Sequence, residues 1–238
     1  MKILDFITRW LFIFCLPVLF LAASIAICFN SAWLYNYGFS KYEVSLSTGL
    51  APPELDKAAR GLVHYWNSGD EFIKLTVIKD GKPFELFNQR EVIHLKDVKG
   101  LVRLDYRILL VTLIYTLVYL GVHLWGQQRK YRGKLVWPIM AGSGITLLAM
   151  LVLGIASAFD FDQLFYQFHI LSFANDFWQL DPNTDYLIML FPGGFWFDVA
   201  VFVMLITGGF AVVSGSITGS IHFFNKVRRM MGEAGKKS

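Results

Sequence analysis

One segment of the chain places a histidine between two carboxylates at helical spacing. Glu91, His94 and Asp97 lie within 88–99 and recur every third residue, so a helix would bring them near one face. A carboxylate beside an imidazole can fix its tautomer and raise its basicity. This spacing therefore indicates a site for general acid–base chemistry centred on His94.

A second segment pairs a histidine with polar residues in otherwise apolar surroundings. His169 is followed by Asn175 and Asp176 within the aromatic-rich stretch 165–182. Polar side chains in so apolar a stretch need partners, because an unpaired polar group is costly to bury. Asn175 is also a possible donor to a developing oxyanion. His94 and His169 are thus the two candidate catalytic histidines.

The sequence predicts no metal or cofactor site. Neither histidine segment supplies two ligands at a convincing zinc spacing, and no known soluble-enzyme motif is present. The two cysteines, Cys15 and Cys28, both lie in the first apolar segment. Thirteen helical residues separate them by about 20 Å, which is too far for a disulfide.

The elements that must position these residues are predominantly membrane helices. Of the 238 residues, 55% are hydrophobic and 17% charged, against about 25% charged in a typical soluble domain. Four segments are long enough to cross a hydrocarbon core as helices. The sequence therefore predicts an all-α membrane protein with four transmembrane helices, at 1–29, 108–126, 135–158 and 195–221.

The basic residues predict the orientation. Segment 127–134 holds four positive charges and no acid, the tail 222–238 is also basic, and no Lys or Arg lies between Lys134 and Lys226. Basic loops stay in the cytoplasm. Both termini and the loop 127–134 should therefore be cytoplasmic, with 30–107 and 159–194 outside. The net charge of +4 then belongs mostly to these anchors and does not indicate nucleic-acid binding.

The exported segments differ in character. Segment 30–107 predicts a small α+β domain, with a helix over 53–66 and strands over 72–78 and 84–87 around the turn Lys79–Lys82, since Asp-Gly favours a hairpin turn. Asn88 then predicts a helix N-cap, with Glu91 in the capping-box position. Segment 159–194 is apolar enough to lie in the headgroup region or to dip into the outer leaflet.

Two longer motifs resemble a known family. The stretch Arg90-Glu91-Val92-Ile93-His94-Leu95-Lys96-Asp97-Val98-Lys99 resembles the R-E-x-x-H-[LM]-x-D-V-K motif of the lipoprotein intramolecular transacylases, four-span membrane proteins of low-GC Gram-positive bacteria. The stretch from Phe168 through Asp176, with Trp178, Leu180-Asp181-Pro182 and Phe191-Pro192, is similar to the family's second signature. The resemblance covers nearly the whole chain.

The resemblance implies a specific reaction. Such enzymes move the sn-2 acyl chain of a lipoprotein's S-diacylglyceryl group to the α-amine of its N-terminal cysteine, which gives the lyso form. The family's two essential histidines would be His94 and His169, and no cofactor is needed. The partners would be diacylated bacterial lipoproteins and membrane lipid. Five further residues would support catalysis or stabilise an oxyanion: Arg90, Glu91, Asp97, Asn175 and Asp176.

The sequence does not decide which of the two histidines is the base and which is the acid. One hypothesis has His94 as the base, supported by Glu91 or Asp97, with His169 as the acid or oxyanion donor, and the reverse is compatible with the same residues. A second function also stays open, a non-catalytic membrane sensor or assembly partner that binds through its exported domain. A transporter is disfavoured because the spans contain almost no charged residues. The distance between His94 and His169 discriminates between catalysis and the binding alternative.

Overall fold

The computed structural model describes residues 2–125 and 134–234. The predicted loop 127–134, apart from Lys134, and the last four residues of the predicted tail lie outside the described residues. The elements, in chain order, are α1 (Lys2–Phe29), α2 (Ala32–Lys41), α3 (Val44–Thr48), α4 (Pro52–Asn67), β1 (Thr76–Lys79), β2 (Lys82–Glu85), α5 (Gln89–Trp125), α6 (Val136–Ser172), α7 (Tyr186–Leu190) and α8 (Gly193–Ala234). Helices dominate, which confirms the predicted fold class.

Four helices are long and apolar enough to cross a membrane, as predicted: Ile3–Phe29, Gln89–Leu124, Val136–Ser172 and Gly193–Arg228. α5 and α6 each have 37 residues, or about 55 Å, against about 30 Å of hydrocarbon. Each must therefore continue beyond the membrane core. In α5 the uncharged apolar stretch begins only after Arg107, and in α6 it ends at Asp160, so the two candidate histidines lie outside these stretches.

The chain divides into two compact units. One comprises Met1–Ser24, Arg107–Leu153 and Met204–Ser238. It is a helical unit in which Phe12 stacks on Tyr119 with ring centroids 4.3 Å apart. A Cβ on Gly142 would lie 3.0 Å from the Leu16 side chain, so α6 and α1 approach closely there. Small residues permit such packing between membrane helices.

The other unit comprises Ile25–Tyr106 and Gly154–Val203. It therefore joins the two segments that were predicted to be exported, together with the adjoining helix ends. Its core is built on the apolar face of α4, where Ala58, Ala59 and Leu62 are fully buried. The predicted helix 53–66 is confirmed by α4. Leu75 packs against this helix, since a Cβ on Gly61 would lie 2.6 Å from Leu75 Cδ1.

The hairpin is confirmed, but its strands are shorter than predicted. Lys79 pairs with Lys82 around a two-residue turn, in which Asp80 and Gly81 both have positive φ, 51° and 74°. This is the backbone that an Asp-Gly turn favours. The extension of β1 back to Phe72 and of β2 to Phe87 was wrong. Beyond the ends of the two strands, one further hydrogen bond joins the Leu86 amide to the Leu75 carbonyl oxygen at 2.9 Å.

A kink divides α6. Asp160 has non-helical torsions, φ −158° and ψ 83°, and its Oδ1 accepts a hydrogen bond from the Gln163 amide at 2.9 Å. This is the contact an N-cap residue makes with the third residue of a helix. Residues 161–172 therefore form a helical segment of their own. That segment carries His169 and separates it from the apolar stretch before the kink.

Candidate active site

The start of α5 fixes the position of His94. Asn88 Oδ1 accepts the Glu91 amide at 3.1 Å, and Glu91 Oε2 accepts the Asn88 amide at 2.7 Å. This reciprocal pair is the predicted capping box, which satisfies two otherwise unpaired amides. His94 follows one turn later, so its backbone is held by a capped and rigid helix start.

The helical segment after the kink fixes the tautomer of His169. The Nδ1 atom lies 2.7 Å from the Phe165 carbonyl oxygen, one turn earlier. Because a carbonyl can only accept, Nδ1 carries the proton and Nε2 keeps its lone pair. His169 is therefore set up to accept a proton at Nε2.

The structure brings the two histidines together. Their ring centroids are 6.1 Å apart, with 29° between the ring planes. Phe173 contacts both rings, at 5.0 Å from His94 and 5.6 Å from His169. Trp178 lies 4.9 Å from His169. The two sequence motifs thus converge on one site with an aromatic surround.

Burial determines the electrostatics of the pair. His94 is only 7% exposed, and its buried Nδ1 has no hydrogen-bond partner among the described residues. Burial, assisted by the charge of a protonated His169 and opposed by Asp97, lowers the pKa of His94 to about 4. Burial also lowers the pKa of His169, against the bond to the Phe165 carbonyl. Both rings are consequently neutral at pH 7.

The hydrogen bonds of Glu91 go to backbone amides and not to His94. Its Oε1 accepts the Leu187 amide at 2.6 Å, and its other oxygen belongs to the capping box. The side chain is 1% exposed, and burial raises the pKa of this carboxyl while the backbone amides oppose that shift. Glu91 therefore joins α5 to the start of α7 and positions the segment rather than the imidazole.

The remaining predicted residues connect the two motifs. Asn175 Nδ2 donates to Asp97 Oδ2 at 2.9 Å, and Arg90 Nη2 donates to the Asp176 carbonyl oxygen at 2.8 Å. Asp176 contributes its backbone here, while its carboxylate faces Gln179 at 3.5 Å. All seven predicted site residues thus lie on one site, but five of them hold its segments in place.

Sequence reasoning did not single out Asp185. This residue is 6% exposed, and its Oδ1 accepts from Asn88 Nδ2 at 2.8 Å. Its Oδ2 accepts from the Asp181 amide, also at 2.8 Å. The signal was available, because a carboxylate in an apolar segment must find donors. Asp185 and Glu91 together hold the second motif against the start of α5.

His169 supplies a proton acceptor at Nε2, and His94 supplies a neutral imidazole whose Nδ1 has no partner among the described residues. The aromatic side chains around them make the site partly apolar. These are the components of general acid–base catalysis without a preformed side-chain nucleophile. Throughout the described ranges, no three His, Cys, Asp or Glu side chains are grouped as metal ligands.

Comparison with known proteins agrees with this reading. The model of a family described as lipoprotein intramolecular transacylase Lit matches residues 10–196. The structure of the membrane integral lipoprotein intramolecular transacylase Lit from Bacillus cereus is similar, with a TM-score of 0.79 at 20% identity, over 97% of this chain and all of that one. A variant of that protein with one histidine replaced by arginine gives a TM-score of 0.74 at 19% identity, over 97% and 96% of the two chains.

One further relative is similar in sequence, but its description gives no function. An uncharacterized protein of Aquifex aeolicus (strain VF5) is 30% identical over 147 residues, which is 62% of each chain. The present chain thus matches somewhat less than two thirds of that relative's length. The family match is the decisive one, because it covers most of the chain and includes both histidine motifs. The chain belongs to the lipoprotein intramolecular transacylase family, as those motifs predicted.

Proposed function

We propose that this chain moves the sn-2 acyl chain of a lipoprotein's S-diacylglyceryl group to the α-amine of the same N-terminal cysteine. The observation that carries the proposal is the 6.1 Å separation of the His94 and His169 rings, which originate in two motifs far apart in sequence. Family membership supports the reaction class. The proposal concerns the substrate, the acyl position and the roles of the two histidines.

His169 acts as the general base. The α-amine of the substrate has a pKa of about 8, so its ammonium form must first release a proton to solvent. As the neutral amine attacks, His169 Nε2 takes one of its two remaining N–H protons, because the other ring nitrogen is held in the hydrogen bond to the Phe165 carbonyl. The amine nitrogen bonds to the ester carbonyl carbon, and the bond from that carbon to the sn-2 glycerol oxygen breaks. Protonated His169 then returns the proton to the glycerol oxygen, which gives an amide and an alcohol.

His94 acts as a neutral hydrogen-bond donor. Its low pKa, about 4, keeps the ring uncharged, so one ring nitrogen carries a proton and donates it to the oxyanion that forms at the ester carbonyl. Such donors stabilise charge as it develops in the transition state. This assignment reverses the hypothesis in which His94 was the base. The reason is that the hydrogen bond to the Phe165 carbonyl leaves Nε2 of His169 as a proton acceptor.

The substrate itself lowers the barrier. Amine and ester belong to one molecule, so the reaction gains from proximity before the enzyme contributes. Attack by the amine leads directly to product, and no acyl-enzyme is required. The enzyme then has to hold the head of the lipoprotein so that amine, ester and both rings are in register.

The site would face the outer leaflet. Basic residues in 127–134 and in the tail support cytoplasmic termini under the positive-inside rule. The unit with both histidines also includes both segments predicted to be exported. In this orientation the histidines meet the acylated cysteine of a lipoprotein anchored in the outer leaflet.

The test is mass spectrometry of a lipoprotein N-terminus from a bacterial host that makes the diacylated form with a free amine. The wild-type chain should yield the lyso form, with the amide-linked chain matching the one that occupied sn-2. His94→Ala and His169→Ala should both leave the substrate unchanged. His64→Ala is the matched control, because His64 is exposed on α4.

The mass-spectrometry result is informative only if each variant is folded and inserted in the membrane. Membrane level and thermal stability of each variant should match those of the wild-type protein. Continued lyso-form product from both site variants would refute the assignment of the histidines. An amide-linked sn-1 chain would refute the acyl position. Loss of product from Arg60→Glu on α4, with both site variants active, would favour the binding-surface alternative.

A further inference from the structure

The helical unit without the histidine site contains a polar recess. Its volume is about 180 Å³, whereas one water occupies about 30 Å³ of the liquid. The recess lies where the first turns of α1, the last turns of α5 and the start of α6 meet. Its polar and aromatic lining consists of Asp5, Arg9, Tyr119, His123, Lys134 and Trp137. None of these residues takes part in the proposed reaction.

Arg9 is the central cation of the recess. Its guanidinium lies over the rings of Phe6 and Trp137, at 5.8 and 5.7 Å. The buried Nε has no hydrogen-bond partner among the described residues. Buried polar atoms are rarely left unpaired in folded proteins. A guanidinium beside two rings, with an Nε–H that lacks a partner among the described residues, is suited to a planar or tetrahedral oxyanion such as phosphate.

The recess also contains hydrogen-bond acceptors. His123 is 8% exposed, and its Nδ1 donates to the Tyr119 carbonyl at 2.8 Å. This leaves Nε2 of the neutral ring for a donor from elsewhere. Asp5 is a second acceptor, 3.4 Å from Lys134 Nζ. A ligand for the whole recess should therefore combine an anion with neutral donors such as hydroxyl groups.

The position of the recess indicates the source of such a ligand. It lies where three long apolar helices begin or end, which is the depth of the headgroups rather than of the acyl chains. Trp137, Trp10 and Phe6 are exposed, and aromatic side chains favour this interface. Acyl chains of a lipid seated there could follow the apolar side of α1, where Leu11 and Phe14 are exposed.

We propose that this recess binds the phosphodiester of an anionic phospholipid whose headgroup carries hydroxyl groups. Arg9 binds the phosphate, and His123 Nε2 and Asp5 accept from the hydroxyls. Among the described residues that line the recess, Arg9, Lys134 and Asp5 carry a formal charge of +1 together, which one phosphodiester neutralises. A zwitterionic headgroup would leave that charge uncompensated, so the recess favours the anionic lipid. The bound lipid would occupy the leaflet on the side where α1 begins.

Native mass spectrometry of the full-length protein in detergent tests this, with phosphatidylglycerol, phosphatidylethanolamine or inorganic phosphate added. Phosphatidylglycerol should remain bound to the wild-type protein and raise its thermal stability. Arg9→Gln should weaken that binding roughly tenfold, the usual effect of losing a charge-assisted hydrogen bond. Arg228→Gln is the matched control, because Arg228 is exposed on α8 and outside the recess.

The added lipids and inorganic phosphate distinguish a bound headgroup from a bound free anion. Stabilisation by the lipid alone identifies a headgroup, and equal stabilisation by inorganic phosphate identifies the free anion as the source. Equal binding of phosphatidylglycerol by the wild-type protein and Arg9→Gln overturns the proposal, as does a preference for phosphatidylethanolamine. Arg9→Lys keeps the charge but loses the planar fork, so an intermediate affinity is expected. Lyso-form production verifies that each variant is folded, because the recess takes no part in the reaction.

Discussion

Asn175 Nδ2 lies 2.9 Å from Asp97 Oδ2, and this hydrogen bond joins the two histidine motifs across 78 residues of sequence. Asp97 is one turn after His94 on α5, and Asn175 follows His169 by six residues. The bond therefore fixes the loop after His169 relative to the helix that carries His94. The Asp97 carboxylate also lies close enough to His94 to raise its pKa, against the larger lowering by burial.

The bond predicts strong coupling between its two residues. Asp97→Ala and Asn175→Ala should each reduce lyso-form production, and the double variant should lose little more than either single one, because both changes break the same contact. The coupling should amount to about 0.5–3 kcal/mol in transition-state stabilisation. Additive losses would contradict it. Asn183→Ala, in an exposed turn, is the control.

The lowered pKa values of both histidines predict the pH profile. The reaction needs the neutral form of His169 and of the α-amine, and the amine has a pKa of about 8. Because burial lowers the pKa of His169 below its ordinary value, the amine should limit the rate first. At low substrate concentration the rate should fall about tenfold per unit from pH 8 down to below pH 6.5.

Protonation of His169 should make the rate fall more steeply with pH, and this steeper fall should begin only below pH 6.5. Initial rates of lyso-form production in proteoliposomes, measured from pH 5 to 9, test this directly. A second break at or above pH 6.5 would show that the imidazoles titrate as exposed histidines do. In that case the burial of the pair in the structure would not describe the functioning site.

Residue types and spacing singled out His94 and His169 as candidates, and the structure brings their ring centroids to 6.1 Å from each other. The capping box at Asn88 and Glu91 was predictable because both partners lie within four residues. The long-range partners were not. Glu91 was placed beside His94 by helical spacing, yet its carboxylate binds the Leu187 amide 96 residues away. Only the tertiary packing decides which of two acceptable partners a buried carboxylate takes.

The kink in α6 was beyond the sequence for a related reason. Asp160 can cap a helix, but any aspartate before an apolar run has that capacity. Whether the chain breaks there depends on what the next turn packs against. Here Phe165 contacts Trp196 with centroids 5.7 Å apart, and His169 must reach His94. Those contacts lie far apart in sequence, and no local pattern records them.

Glu91 should be critical for stability. Its two oxygens accept two backbone amides, whereas glutamine has one acceptor and would turn its NH₂ group toward the other amide. Glu91→Gln should therefore lower the free energy of unfolding by about 1.5–3 kcal/mol, as for loss of a bond to a charged group. Thermal unfolding in detergent measures it. Glu43→Gln, at an exposed position, should leave the melting temperature unchanged, and equal behaviour of both variants would disprove the role.

Two glycines should respond to alanine in opposite directions. A Cβ on Gly38 would lie 2.2 Å from Cδ2 of Phe195, and that ring is only 1% exposed. The overpacking costs about 1–3 kcal/mol or more, which exceeds the gain of about 1 kcal/mol for alanine over glycine in a helix. A Cβ on Gly100 in α5 would meet nothing within 4 Å, so only the gain remains. Gly38→Ala should lower the melting temperature in detergent and Gly100→Ala should raise it. A Gly38→Ala protein as stable as the wild type would mean that α2 and the start of α8 do not pack as closely as described.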